Sequence, residues 1–322
     1  MRTIRALAAA AALLTLPGVS SADATPATLA SLTFENDFFA GYDHHYTNGV
    51  QVAFVASPRT VVAFGQRIYT PTDTDSAVPD PHDRPYAGWL YVMTDTRLPA
   101  ERTIDHLTLS LGVVGPHSLA RQAQNVTHRV LGEAPSQGWH SQIATEPTVM
   151  VGYERAWPAV AATRMGDKTV DLALRTGGAL GNVFTYANTG AVVRFGHNLP
   201  SDIPVTHISL GPPRDGYRGT PEFGWYVWAG VDGRYVARNI FLDGNTFKDS
   251  PSVDRSPSAG TRSLASRSRG PTPALDSRIS SAGASSRGRW ATTASGSSLY
   301  RSPSDYGSSA RTSMKRARPA RR

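Results

Sequence analysis

Short runs in which apolar and polar residues alternate recur along the chain from residue 29 to about residue 241. The first run, 30–35, reads A-S-L-T-F-E. A strand with this period has one apolar and one polar face, as half-buried strands and the strands of membrane barrels do. Further runs predict strands at 50–56, 61–69, 89–96, 104–114, 148–157, 170–180, 191–195 and 223–235. The pattern predicts an all-β fold built on an antiparallel sheet.

The N-terminus has the features of an export signal. Arg2 and Arg5 precede the uncharged apolar run 6–16, and small residues around Ala22 offer cleavage sites. We therefore expect residues 1–24 to be a signal peptide that is removed. The apolar run is too short for a membrane anchor helix, and no later segment is long and apolar enough to cross as a helix. If the protein spans a membrane, it must do so as a closed β-barrel.

Aromatic residues form clusters that fit either of two folds. In a membrane barrel such clusters form girdles at the water boundary, whereas a soluble β-sandwich places the same residues in its core. The pattern alone favours the barrel and leaves the sandwich open. The clusters are Tyr86, Trp89 and Tyr91, then Tyr153 and Trp157, then Trp225, Tyr226 and Trp228.

One segment departs from the β pattern. Residues 118–131 have apolar residues at near-helical spacing, with Ser118 available as an N-cap and Gly132 as the stop. We predict a helix there, at one rim of the barrel or within its lumen. Gln124 and His128 are four residues apart, so they share a face of this helix.

The net positive charge of the chain comes from its C-terminal end. The whole chain carries +8 and has an isoelectric point near 9.9. Residues 251–322 hold thirteen Arg and one Lys against three Asp, so residues 1–250 carry a net −3. Export would separate this basic tail from cytoplasmic nucleic acid, so we expect no nucleic-acid partner. The chain has no cysteine, so disulfides cannot stabilise the exported protein.

The densest polar constellation combines Glu35-Asn36-Asp37 with residues 43–49, D-H-H-Y-T-N-G. A hairpin between the first two strands would bring the two groups together. Carboxylate and carboxamide oxygens at a strand end suit a hard cation such as Ca²⁺. Alternatively, Asp43 and the Asn48-Gly49 pair are turn formers with no further role.

His128 is the second candidate, although a lone helical histidine is more often structural. The chain has no G-x-S-x-G elbow and no cysteine nucleophile. A hydrolase made from these residues would use a histidine as general base on water, with a cation stabilising the oxyanion.

An ordered series of longer motifs makes the sequence recognisable. The series resembles the calcium-dependent lipid A deacylase family of the outer membrane, and it covers residues 30 to about 252. The motifs are S-L-T-F-E-N-D-F-F (31–39), Y-T-N-G (46–49), I-Y-T-P-x-D (68–73), D-R-P-Y-A-G-W-L (83–90), L-G-V-V-G-P-x-S (111–118), Q-x-x-x-H-R-x-x-G (124–132), G-W-x-x-Q (138–142), E-P (146–147), G-N-x-F-T-Y (181–186) and V-A-R-N-I-F-L-D-G-N-T-F (236–247).

The resemblance implies a twelve-stranded, monomeric barrel that removes an ester-linked acyloxyacyl chain from lipid A, with lipopolysaccharide as substrate. The active site would lie between the barrel wall and the outer leaflet. His128 would be the base that activates water. Asn36 and Asp37 would bind or orient Ca²⁺, and Thr47 would line the same site.

Two positions depart from the family pattern. The family glutamate that follows the catalytic histidine corresponds to Glu133, or in strict register to Ala134. The lysine of the substrate-facing loop has no counterpart, because residues 72–80 contain only acidic and neutral side chains. Contact with a lipid A phosphate would then pass to another residue, for which Arg84 is the candidate.

The composition of the C-terminal tail changes the prediction for the last strands of the barrel. Residues 254–322 are rich in Ser, Arg, Gly, Ala and Pro and show no alternation, which is typical of a disordered basic segment. We therefore expect an incomplete barrel domain at 25–253 whose C-terminal strands are lost. A non-catalytic outer-membrane barrel, such as an inactive homologue, a pore or an adhesin, is the alternative to the enzyme. For the tail, a genuine basic extension that docks on anionic lipopolysaccharide is the alternative to a segment read out of frame.

Ser-, Arg- and Ala-rich sequence also resembles a GC-rich gene read out of frame. We predict that resequencing the 3′ end of the gene will reveal a shifted frame whose correction encodes alternating strands. A confirmed frame, with no alternative frame that encodes such strands, would contradict the frameshift hypothesis.

Overall fold

The computed structural model describes residues 30–35, 48–199, 203, 223–254, 258–269, 276–283, 290–295 and 299–300, with side chains for 49–199, 203 and 223–254. The predicted signal peptide and the segment 36–47 lie outside the described residues. Strands dominate the described part, as predicted. The strands are β1 (Ala30–Glu35), β2 (Asn48–Ser57), β3 (Thr60–Tyr69), β4 (Ala87–Pro99), β5 (Ile104–Val114), β6 (Glu146–Met165), β7 (Lys168–Gly181), β8 (Phe184–His197), β9 (Gly224–Asn239), β10 (Ser258–Arg269), β11 (Asp276–Gly283), β12 (Trp290–Ser295) and β13 (Leu299–Tyr300).

The strands form one antiparallel sheet in which each strand pairs with its neighbour in sequence from β1 to β12. The last strands pair back to the first: Glu35 of β1 lies opposite Ser295 of β12, and Ser31 lies opposite Tyr300 of β13. This order, without a crossover, is that of an up-and-down barrel. Among the described residues no helix has the length and apolar character to cross a membrane.

The structure places strands within the tail, at 258–269, 276–283, 290–295 and 299–300, where no alternation predicted them. The backbone of β10 pairs with β9 along 258–269, and β11 and β12 continue the sheet. Pairing is made by backbone N–H and carbonyl groups, and only proline lacks the N–H; the described strands β10, β11 and β12 contain no proline. A serine-rich sequence can therefore pair with the open edge of β9 without showing alternation. The frameshift hypothesis stays a prediction.

The two ends of the sheet differ in their connections. At one end the links 58–59, 100–103 and 166–167 are short, and 198–223 is a longer exception. At the other end lie the long segments 70–86, 115–145 and 240–257. Outer-membrane barrels have short periplasmic turns and long extracellular loops, so the long-loop rim is the outer side of the membrane.

The two faces of the sheet have opposite chemistry. The outward side chains include many exposed apolar residues, such as Phe54, Phe64, Leu107, Val151 and Val193. We call this surface the lipid-facing belt, because an apolar band around a barrel is what the hydrocarbon core requires.

The inward face of the same strands is polar in its middle and aromatic at its upper end. Buried ion pairs join Arg194 on β8 to Asp171 on the neighbouring strand β7, and Arg175 on β7 to Asp232 on β9, one strand further away. Such charged pairs are retained inside a barrel because each carboxylate receives hydrogen bonds from a guanidinium. The lumen of the described part is therefore filled by side chains rather than left as an open channel.

The aromatic prediction is wrong for four residues. Trp89, Tyr91, Tyr226 and Trp228 are almost fully buried and point inward, while Tyr153 is exposed on the outward face. Alternation decides this outcome: the inward positions of β4 are the odd ones, and Trp89 and Tyr91 occupy two of them. These rings are core residues and do not form a girdle.

The lumen is closed at the long-loop rim by a short helix, α2 (Ile240–Asp243), which follows α1 (Ala120–Leu131) in chain order. Ile240 and Phe241 are fully buried, and the Phe241 ring stacks on Tyr69 with centroids 4.0 Å apart. Below them Trp89 stacks on Tyr91 at 4.2 Å. We call this aromatic group the lumen plug.

The motifs around residues 146, 182 and 245 hold the plug in place. Glu146, at the start of β6, accepts hydrogen bonds from Asn182 at 2.8 Å and from the Thr246 backbone at 2.8 Å. Asn245 accepts from the Ala144 backbone and donates to Glu146. Three connections of the long-loop rim thus meet at one carboxylate. These motif residues therefore have a structural role, which is to join the rim connections by hydrogen bonds, and the sequence alone did not reveal it.

We predict that Arg194→Met destabilises the barrel by roughly 3–5 kcal/mol, because it leaves the Asp171 carboxylate buried without its partner. The double variant Arg194→Met with Asp171→Leu should recover most of this loss. Denaturant unfolding in detergent, followed by the heat-modifiable shift on gels, measures both.

The matched control is Lys168→Met. It breaks the exposed Lys168–Asp167 pair and should change stability by less than about 1 kcal/mol. Equal stability of Arg194→Met and the control would contradict the importance of the buried pair.

Candidate active site on the outer wall

The helix α1 lies at the long-loop rim, on the outside of the barrel wall rather than in the lumen. On β3 the outward residue Gln66 donates a hydrogen bond from Nε2 to the Ser118 carbonyl at 2.7 Å. On β4 a side chain at Gly88 would collide with Ala120 and Ser118. Of the two predicted positions, the rim and the lumen, the helix occupies the rim.

A small apolar cluster seats the helix on the wall. Ile68 of β3 packs with Tyr86, Ala120 and Trp139, all of them buried. This cluster is separate from the lumen plug, because Ile68 points outward while its neighbour Tyr69 points inward into the plug. A step of one residue along β3 thus separates the support of α1 from the interior of the barrel.

The start of α1 differs from the prediction, and its end agrees with it. Ser118 is not the N-cap: its hydroxyl donates to the Gly115 carbonyl at 2.6 Å and closes the preceding 3₁₀ turn. Leu119, at φ 61°, is the residue before the helix. Gly132 stops the helix at φ 77°, a conformation that glycine adopts without strain.

His128 lies one turn before the end of α1, with its side chain 18 % exposed. Its Nδ1 lies 2.6 Å from the carbonyl oxygen of Ala134. Because a carbonyl can only accept, Nδ1 must carry the proton. In the neutral ring Nε2 then holds the lone pair, and this is the tautomer that a general base requires.

Glu133 lies beside the free ring nitrogen. Its Oε2 is 3.8 Å from His128 Nε2, too far for a direct hydrogen bond but close enough for an ion pair if the ring is protonated. The two positions that the sequence could not separate therefore both contact the ring. Ala134 contributes its backbone carbonyl, and Glu133 contributes its carboxylate.

Gln124 and Trp139 hold this arrangement together. The Trp139 indole N–H donates to Gln124 Oε1 at 2.7 Å, and both side chains are buried. The loop that carries Ala134 runs between α1 and Trp139, so this bond fixes the ends of that loop. Sequence reasoning placed Gln124 on the face of His128 but did not find its partner.

Two buried polar atoms near the site accept or donate no hydrogen bond within the described residues: Asn125 Oδ1 and Ser136 Oγ. Asn125 is three residues before His128, which places both on adjacent parts of the helix surface. Ser136 follows two residues after Ala134. Such atoms are normally satisfied by water or a ligand.

Tyr86 supports Trp139 from below, with ring centroids 4.9 Å apart. Burial raises the pKa of the Tyr86 hydroxyl, the hydrogen bond with the Gly138 backbone lowers it, and the nearby Asp73 and Asp75 raise it again, with a net upward shift. The hydroxyl therefore stays protonated in the physiological range, and it donates to the Thr74 carbonyl.

Three of the predicted site residues, Asn36, Asp37 and Thr47, lie outside the described residues. Their neighbours are informative. Glu35, the last residue of β1, and Asn48, the first residue of β2, both lie at the long-loop rim. Asn48 pairs with Ile68, the residue that lies beneath α1. Within the part of the chain that the structure describes, no cluster of three or more His, Asp or Glu residues is arranged to hold a metal ion.

Arg84 is not placed beside His128. Its guanidinium lies over the ring of Tyr69, 5.5 Å from the centroid, and therefore close to the lumen plug. The wall formed by β3 and β4 has α1 on its opposite face. A role for Arg84 in binding substrate stays a prediction.

A barrel with an apolar exterior, a filled lumen and a histidine site on its outer wall is the architecture of an integral outer-membrane protein that acts at the lipid interface. The sequence model of the family described as outer membrane protein LpxR matches residues 7–268. The chain belongs to this family, which makes it an outer-membrane, lipid A-modifying protein. The match also extends the resemblance beyond residue 252, into β10.

A solved structure agrees in fold. LpxR from Salmonella typhimurium superimposes with a TM-score of 0.72 at 20 % sequence identity, over 84 % of this chain and 99 % of that one. Among curated proteins no sequence matches this chain.

We predict that Gln124→Leu loosens α1 by roughly 1–3 kcal/mol, because it leaves the buried Trp139 N–H without an acceptor. Hydrogen exchange of the amides in 120–131 should accelerate accordingly. Gln122→Leu is the matched control, since Gln122 is exposed on the same helix. Indistinguishable exchange in the two variants would show that the bond does not hold the helix.

Proposed function

We propose that the protein hydrolyses an ester-linked acyloxyacyl chain of lipid A, with His128 as the general base. One observation carries the proposal: a histidine of fixed tautomer lies on the outside of the barrel wall at the extracellular rim. Lipid A occupies the outer leaflet, so its acyl esters lie beside this wall and not in the lumen. A site on the outer face can reach them without extracting the lipid from the membrane.

The described geometry suits the proton transfers of ester hydrolysis. His128 Nε2 takes a proton from a water molecule as the water oxygen attacks the ester carbonyl carbon. The Glu133 carboxylate, 3.8 Å away, stabilises the imidazolium that forms. When the tetrahedral intermediate collapses, the same proton passes to the leaving alkoxide. The products are a free fatty acid and the hydroxyl of the remaining acyl chain.

Asn36 and Asp37 supply the donors for a calcium ion in this proposal. Their side chains offer the oxygen ligands that Ca²⁺ prefers, so the donor chemistry fits the ion. Bound there, the ion would supply positive charge to stabilise the oxyanion. Thr47 would line the same site. The pairing of Asn48 with Ile68 supports this proximity, because it brings the end of segment 36–47 to the strand that carries α1.

Arg84 is the proposed contact for a lipid A phosphate. It is a cation at the long-loop rim, on the loop that also carries Tyr86, and it precedes the first strand residue of β4 by only three positions. A guanidinium forms two parallel hydrogen bonds with a phosphate, which suits recognition of a lipid A headgroup.

The pore alternative is disfavoured by the lumen of the described part. The plug of Phe241, Tyr69 and Trp89 occupies the extracellular end, and the ion pairs of Arg175 and Arg194 occupy the middle. A conducting barrel needs a continuous aqueous path. The other alternative is an inactive homologue with the same fold, and the lipid A mass assay distinguishes it from the enzyme.

We predict that expression of the full chain in a host with unmodified lipid A removes the mass of one acyloxyacyl chain from that lipid A. His128→Ala should reduce the conversion by about 10²–10⁴-fold, because it removes the base. Asn36→Ala, Asp37→Ala and a calcium chelator should have the same effect. Mass spectrometry of extracted lipid A measures each conversion.

His82→Ala is the control for loss of a histidine. His82 is exposed on the loop between β3 and β4, and its ring lies 3.1 Å from the carboxylate of Asp80. This variant should retain full conversion. Unchanged lipid A mass, with the barrel correctly inserted and heat-modifiable, would identify an inert homologue instead.

A further inference from the structure

An apolar stripe on α1 is left exposed in the described structure. Leu119, Val126 and Val130 are 52 %, 55 % and 81 % exposed. Val126 and Val130, four residues apart, lie on one side of the helix, and Leu119 directly precedes its first turn. The wall face of the helix is a different one, because it carries the buried Ala120 and Gln124. The stripe is thus not part of the cluster that seats the helix.

The seat of α1 adjoins the lipid-facing belt. The seat of α1 includes Gln66 on β3, and Phe64 lies two residues earlier on the same outward face, 52 % exposed. At a rise of about 3.3 Å per strand residue, Phe64 is only about 7 Å below the contact with the helix. The helix therefore begins where the apolar belt of the barrel ends.

The rest of the exposed helix surface is polar and basic. Arg121 and Arg129 are both exposed. A helix with an apolar stripe and basic residues on its other exposed sides is suited to the boundary between acyl chains and anionic headgroups. Arginine side chains can also keep their charge at the headgroups while their alkyl parts lie in an apolar layer.

We propose that α1 docks into the outer leaflet, with Leu119, Val126 and Val130 in the acyl-chain layer and Arg121 and Arg129 among the lipid phosphates. The partner is the membrane itself. The inference depends on the outer-membrane location and not on the proposed hydrolysis. Its consequence is that the helix sets the depth of His128, which lies two residues from Val126 and from Val130.

The experiment uses the absence of cysteine from the chain. Val126→Cys and Val130→Cys are introduced singly into the full chain and labelled with a small fluorophore. The protein is reconstituted in phosphatidylethanolamine–phosphatidylglycerol vesicles that contain lipopolysaccharide and phospholipids with brominated acyl chains. Bromine quenches only fluorophores that enter the hydrocarbon layer. Heat-modifiability on gels checks the folding of each variant.

Phe64→Cys is the reference inside the belt, and Arg121→Cys is the matched position on the opposite side of α1. We expect labels at 126 and 130 to be quenched nearly as strongly as the label at 64, and several-fold more strongly than the label at 121. Iodide in the buffer should quench in the reverse order.

Two results would overturn the proposal. Labels at 126 and 130 that respond to iodide as the label at 121 does would show that the stripe faces water. Labels protected from both bromine and iodide would show that protein covers the stripe, either another segment of this chain or a second copy. Neither result would bear on the lipid A mass assay, so the two proposals fail separately.

Discussion

In hydrocarbon, a backbone N–H or carbonyl without a partner costs several kcal/mol, and this cost governs the architecture of the chain. Each described strand from β1 to β12 pairs with its neighbours in sequence, and β12 and β13 pair back to β1 at three residue pairs. Once the backbone is satisfied in this way, the side chains divide by alternation. Apolar residues face lipid, and the Arg–Asp pairs and the aromatic plug face the lumen.

The same division creates a site on the outside of the protein. Because the lumen is filled, the long connections of the extracellular rim can pack only over the mouth or on the outer wall. The segment 240–254 packs over the mouth, while α1 packs on the wall through Gln66, Ile68 and Gly88. His128 consequently lies on the lipid side of the barrel. Its tautomer is set by Ala134 rather than by a side chain, so backbone geometry prepares the base.

Alternation made the strands and α1 predictable. Runs such as 104–114 and 223–235 coincide closely with β5 and β9, and Gly132 ends the helix as expected. The direction of the aromatic residues was not predictable from their clustering, since Trp89 and Trp228 could face either side until the strand parity was known. Composition also failed for 258–269, because backbone pairing requires little of the side chains. In the site, His128 and Glu133 were found through the motif, whereas the Trp139–Gln124 bond joins residues fifteen apart and had no local signal.

The central claim is that α1 lies on the outer wall and presents His128 to the proposed calcium site of Asn36 and Asp37. An experimental structure of the full chain in lipid nanodiscs, determined with calcium present, tests it most directly. The account predicts the His128 ring on the lipid side, with Nδ1 on the Ala134 carbonyl and calcium density between Asn36 and Asp37 within reach of Nε2. A helix turned into the lumen, or an imidazole remote from the Asn36–Asp37 pair, would contradict it.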